Sequence, residues 1–228
     1  MESFLFERIS ILENTYIMRK DRNFMYLVSE YIGIVSRTSF RILCDRKDSD
    51  YVTVQVFVML WKTYGKKKIN LSFRDWLIRY ACILSRLRIT RRRLMSLAGM
   101  APDLFVSSKP KAEDYDDYVT TQAWEVFCRA STAMTPMQRI VFTLISLEGM
   151  RVSDVSEICS LFKFRVMLAH KRAVTKVRQE LHKFGKDSDY DAYIGFMKKV
   201  SDDLEDIHML EKMIFERTIV CSSASNVR

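Results

Sequence analysis

The sequence predicts an all-helical protein, and three observations carry that prediction. Apolar residues recur at three- and four-residue steps along most of the chain. Only 6 Gly and 3 Pro occur in 228 residues, so the tight turns that a strand-rich fold needs are missing. The run Thr135-Pro136-Met137-Gln138 spells a helix start: a capping hydroxyl, Pro at the first helical position, and Gln completing a capping box.

Residues 24–43 place Phe24, Leu27, Tyr31, Ile34, Val35 and Ile42 at helical spacing. Residues 51–61 read differently. Val52, Val54, Val56 and Val58 alternate with Thr53, Gln55 and Phe57, and by periodicity alone that is a strand. Residues 72–88 return to the helical period through Phe73, Trp76, Leu77, Tyr80, Ala81 and Leu84. Arg74, Arg79, Arg86 and Arg88 are interleaved, and Arg91, Arg92 and Arg93 follow.

Pro102, Pro110, Ser107, Ser108 and the acidic run from Glu113 to Asp117 then read as an extended linker. The expected organisation is a first module over residues 1–97, an acidic linker over 98–119, a second module over 120–186 and an acidic helical extension over 187–228.

In the second module the helix begun at Thr135 should run to about Leu147 and close at Gly149. Val155, Ile158, Cys159 and Phe162 mark a second helix. After a break near Phe162 and Lys163, a third carries Val166, Ala173 and Val177 inside. Its outside holds Arg165, Lys171, Arg172, Lys176 and Arg178. Helix, short turn and basic helix make a helix-turn-helix, whose second helix can lie in the major groove. A basic helix in a plain bundle would carry the same pattern. In the extension, Tyr193, Met197, Val200, Leu204, Ile207, Leu210 and Ile214 form one apolar stripe, with Asp202, Asp203, Glu205, Asp206 and Glu211 between them.

Charge is distributed in blocks. Residues 1–95 hold 19 Lys/Arg against 9 Asp/Glu, residues 96–133 hold 3 against 6, residues 134–186 hold 10 against 4, and residues 187–228 hold 5 against 9. Two basic blocks separated by an acidic one are an electrostatic footprint for nucleic acid. The five cysteines are dispersed, with no CxxC pair and no zinc-ligand order, and read as core residues in a reducing cytosol. No signal peptide is visible, and no apolar run approaches the ~20 residues of a membrane helix, so a cytoplasmic protein without membrane insertion is expected. No Gly-rich phosphate loop, nucleophile elbow or HExxH occurs, so the expectation is a non-enzyme with no cofactor and no metal.

The order of the pieces resembles the extracytoplasmic-function sigma factors of bacterial transcription. Residues 24–61 resemble region 2 of that family, with Arg41, Leu43, Asp45, Asp48, Asp50, Val56, Phe57, Leu60 and Trp61 in register. Phe73 to Ala81, FRDWLIRYA, is similar to a further run of the same region. The stretch MTPMQRIVFTLISLEGMRVSDVSEICSLF resembles region 4 through Pro136, Gln138, Arg139, Val141, Phe142, Glu148, Gly149 and Glu157. Val166, Arg172, Ala173 and Arg178 continue the register. The resemblance covers about 130 residues. It departs at Tyr51, Val54 and Gln55, at Ile83 and Leu87 where the family commonly has Asn and Asp, and at Met167 and His170 where it commonly has Lys and Leu.

The resemblance implies a helix over residues 51–61 and two partners, core RNA polymerase and promoter DNA. It leaves room for an anti-sigma partner. Asp48, Asp50, Gln55 and Trp61 fall on the polymerase-binding surface and are expected to face solvent. Trp76, Arg79, Tyr80, Arg86, Arg88, Arg91 and Arg92 fall in the minus-ten region, where aromatic faces and cations hold opened DNA. Lys66–Lys68 and Asn70 lie in the loop where a flipped base is captured. Lys163, Arg165, Met167, Lys171, Arg172 and Lys176 fall in the minus-thirty-five region, as base readers or phosphate contacts. His170 reads as a packed residue. A degenerate relative that binds polymerase or a partner without reading DNA is the alternative, and a simple helix-turn-helix regulator is a third.

Overall fold

A computed structural model of the chain describes residues 2–63, 71–98, 115–183, 190–200 and 207–225. These residues are helical apart from short turns, and no strand occurs among them. The all-α prediction holds. Lys66–Lys68 and Asn70 lie outside the described residues, as do 99–114 of the expected linker.

The first helix, α1, spans Glu2–Leu43. Phe24, Val28, Ile32 and Val35 lie buried along one side of its second half. It stops at Cys44, where φ turns to 55° and the Cys44 N–H returns to the Phe40 carbonyl at 2.8 Å. This is a left-handed C-terminal cap made without glycine. Asp45 then opens α2 (Arg46–Thr63), its carboxylate accepting the Asp48 N–H at 2.8 Å.

Helix α2 runs through the alternating valines. Val52, Thr53, Val54, Val56, Phe57, Val58, Leu60 and Trp61 are all buried, because α2 lies between α1, α3 and the last helix. A helix covered on most of its circumference needs no polar stripe, so its sequence shows none of the 3.6-residue period. Packing overrides the β-branched preference. The helix implied by the resemblance is present, and the strand suggested by periodicity is not.

Ser72 caps α3 (Phe73–Leu97) by accepting the Asp75 N–H at 3.1 Å. Leu77, Ile78, Ala81, Cys82, Ser85 and Ile89 face inward. Helix α4 (Tyr115–Ala133) takes in residues 115–119 of the stretch expected as linker. The predicted capping box opens α5 (Pro136–Phe142): Gln138 N–H donates to Thr135 Oγ1 at 3.2 Å, and Thr135 N–H to Gln138 Oε1 at 3.0 Å. The chain continues as a π-helical stretch, Thr143–Leu147, and turns at Gly149 with φ +68°, a backbone conformation that favours glycine. Helices α6 (Val152–Cys159) and α7 (Lys163–Lys183) follow, separated by a turn in which Ser160 takes φ 52°.

The described parts of the C-terminal stripe are helical, in α8 (Tyr190–Val200) and α9 (Ile207–Ser225). Tyr193 and Met197 of α8 are buried beside α4, and the Tyr193 hydroxyl donates to the Ala123 carbonyl at 3.2 Å. Leu210 and Ile214 of α9 are buried against α1 and α2.

The two expected modules share their interior. One buried cluster joins α1, α2 and α3 to Ile140, Val141, Leu144, Val155, Ile158 and Val166 of the second half, and to Leu210 and Ile214. A second joins Phe40 and Cys44 to α4, α7 and α8. Phe40 stacks on Trp124 with ring centroids 4.7 Å apart and 11° between planes. Both clusters cross from the first half of the sequence to the second.

Candidate nucleic-acid interface

Helix α7 is held to the body by Val166, Ala173, Val177 and Leu181, spaced seven, four and four residues apart and so on one face. Its opposite face is open. Lys163, Arg165, Met167, Lys171 and Arg172 are all exposed. No Asp or Glu occurs from residue 163 to 179, so the cations on the outer face of this helix are not neutralised by their own neighbours. Lys176 behaves differently. Its Nζ donates to the Ala133 carbonyl and, at 2.9 Å, to Gln138 Oε1, bracing the α4–α5 corner. It is half-buried, with its ammonium bonded within the molecule. His170 is packed, as expected: Nε2 lies 2.8 Å from Ser146 Oγ, and burial lowers its pKa.

The minus-ten candidates on α3 separate into two groups. Arg79 donates to Ser160 Oγ at 2.8 Å, reaching the α6–α7 turn. Arg88 pairs with Asp48 at 2.7 Å and lies over the Tyr51 ring, 4.5 Å from its centroid. Arg92 pairs with Asp45 at 2.9 Å and Asp48 at 2.6 Å. Arg86 and Arg91 remain exposed. Trp76 and Tyr80 are half-buried and rest on each other, centroids 4.2 Å apart and planes 40° apart. Three of the five arginines are thus bonded within the molecule and two are not bonded to these partners.

The expectation that the four polymerase candidates face solvent fails at two of them. Asp48 is 4% exposed because Arg88 and Arg92 draw it to α3. Trp61 is buried edge-on against Phe24, centroids 4.8 Å apart. Gln55 and Asp50 are half-buried, Asp50 lying 3.6 Å from Arg46.

A residue given no role at the outset holds the assembly together. Arg41 is buried at the end of α1. Its guanidinium donates to Glu148 Oε1 at 2.8 Å, to the Leu147 carbonyl at 3.2 Å and to the Lys198 carbonyl at 2.7 Å. One side chain thus ties α1 to the C-terminal end of the π stretch and to α8. Arg37 adds a second contact to Glu148 at 3.5 Å. Arg41 and Glu148 were both in register with the family, and opposite charges within apolar stretches were the available signal.

Thiols in this region are quiet. Burial pushes Cys159 up to about 11 against the opposing pull of Arg79 and Arg86, and burial also raises Cys82. Among the described residues no cluster of His, Cys, Asp and Glu is suited to a metal ion, and no helix is long and apolar enough to cross a membrane.

No family model matches the chain, and no curated protein matches it. Among solved structures it is similar to a chain of the co-crystal structure of the sigma factor RpoE in complex with the anti-sigma factor NepR from Bartonella quintana. The TM-score is 0.53 at 13% identity, over 71% of this chain and 98% of that one. The likeness is one of fold.

Proposed function

We propose that this chain is a bacterial transcription initiation factor that binds core RNA polymerase and directs it to specific promoters. One observation carries the reading: in a sigma-like helical fold, the second helix of the helix-turn-helix presents Lys163, Arg165, Lys171 and Arg172 to solvent. A cationic recognition helix is what phosphate attraction and base reading require. Arg165 and Lys171 act at base edges, and Arg172 holds phosphate. Arg86, Arg91 and the Trp76–Tyr80 pair serve the minus-ten element. Asp50 and Gln55 serve polymerase, and an anti-sigma factor is a further partner.

A second reading has its own support. Arg79, Arg88 and Arg92 are bonded within the molecule, and Ile83 and Leu87 stand exposed on α3 where the family has polar residues. A sigma-like protein that binds polymerase or another partner without reading DNA fits those facts.

Run-off transcription with purified core enzyme and genomic fragments separates the two. Initiation at discrete sites, lost in Arg165→Ala and Lys171→Ala, supports the first reading. For Arg172→Ala, evenly weakened binding with a salt slope smaller by about 1 is expected. Association with core enzyme without initiation supports the second.

A further inference from the structure

The outer face of α7 is not purely cationic. Phe162, in the turn before it, is 74% exposed, and Phe164, Met167 and Leu168 are 63%, 59% and 45% exposed. The two phenyl rings lie side by side, centroids 6.2 Å apart with planes 16° apart. Residues 164, 167 and 168 share the first two turns of a helix and adjoin Lys171 one turn on. The result is an apolar tip set among Lys163, Arg165, Lys171 and Arg172.

Exposed apolar clusters mark binding surfaces, and the surrounding charge says what binds. An apolar partner would have to desolvate four cations, whereas a polyanion with apolar points meets both features. Duplex DNA offers such points in its major groove, where each thymine presents a C5-methyl group at the same depth as the base edges. A second copy of the chain would bring like charges together around the same patch.

We infer that Phe164, Met167 and Leu168 read thymine methyl groups in the major groove, with Phe162 covering the edge of the same patch. The bound element is therefore thymine-containing where the first two turns of α7 enter. This rests on α7 reading DNA, as proposed above, and deepens that reading by assigning specificity to apolar side chains rather than to the arginines alone.

The test begins with the full-length chain selecting 30-base-pair duplexes from a random pool, each selected duplex then being measured by fluorescence anisotropy. Each selected thymine is replaced in turn by deoxyuridine, which removes the methyl group and leaves base pairing unchanged. About fourfold weaker binding per contacted methyl is expected, the burial of one methyl converted at 25 °C. In Phe164→Ala or Met167→Ala, exposed positions where folding is checked by circular dichroism, the deoxyuridine penalty should shrink for the contacted thymine.

Several outcomes overturn the inference. Selected duplexes that bind equally well with deoxyuridine throughout remove methyl reading while leaving DNA reading by α7 intact. A penalty that Phe164→Ala, Met167→Ala and Leu168→Ala all leave unchanged removes these side chains. Failure to select any duplex, both with the chain alone and with the chain bound to core RNA polymerase, removes this inference and the reading beneath it. If Phe164→Ala abolishes self-association in sedimentation and leaves DNA affinity unchanged, the patch is a contact between copies.

Discussion

Replacing Arg41 with Ala should be among the most damaging single changes in this molecule. Its side chain is 3% exposed, as is that of Glu148, so the change leaves a buried carboxylate facing a void. Arg37, 3.5 Å away and partly in solvent, compensates only in part. The Leu147 and Lys198 carbonyls each lose a charged donor. Breaking a buried pair from one side costs about 3–5 kcal/mol. Domains of this kind are stable by only about 5–15 kcal/mol in total, and at roughly 2–4 °C per kcal/mol the melting temperature should fall by about 6–20 °C. The assay is thermal and urea unfolding followed by far-UV circular dichroism, with limited proteolysis at 25 °C. The double variant Arg41→Met with Glu148→Met removes both charges and keeps the volume, so it should recover much of the loss. A single variant that melts within 2 °C of the parent (a shift worth under about 1 kcal/mol) would refute the argument that this guanidinium joins the two halves. So would a double variant less stable than Arg41→Ala.

Three further outcomes follow from the packing. Asp50→Lys and Gln55→Lys should weaken co-purification with core RNA polymerase while leaving the chain folded, as checked by far-UV circular dichroism; unchanged co-purification counts against the polymerase-facing assignment. Ile214→Ala, at a side chain fully buried among α1, α2 and α9, should cost about 2–5 kcal/mol in urea unfolding; an unmoved midpoint would show that α9 is not part of the common core. Cys159, with its thiol held near 11 by burial, should be alkylated by iodoacetamide at pH 8 on the order of a hundredfold more slowly than an ordinary peptide thiol. Reaction at the peptide rate would mean that the α3–α6 contact opens readily.

The features legible in the chain order are local. The Thr135–Gln138 capping box, the glycine turn at Gly149, and the inward line Val166, Ala173, Val177 are set by residues within a few positions of one another. Their geometry follows from helix spacing alone, and the structure reproduces each. The exposed cations of α7 belong to the same class, since the inward line defines the outward one. The apolar tip at Phe164, Met167 and Leu168 was equally visible on that wheel. Met167 stands among the expected DNA contacts, and Phe164 and Leu168 lie beside it on that face.

Long-range packing settles the remainder. Residues 51–61 carry a strand's alternation, and α2 is a helix because neighbours on several sides absorb its apolar surface whatever its period. On α3, Arg79, Arg86, Arg88, Arg91 and Arg92 are equivalent as sequence. Three of them find Ser160, Asp45 or Asp48 at separations of 40 residues or more, and two do not. Asp48 and Trp61 left the surface for the same reason, and Arg41 became the joint between halves by meeting Glu148 across 107 positions. Periodicity reports which face of a helix is apolar. It holds no information about which distant partner will cover that face or pair with a given charge, because that choice is made by the whole fold at once.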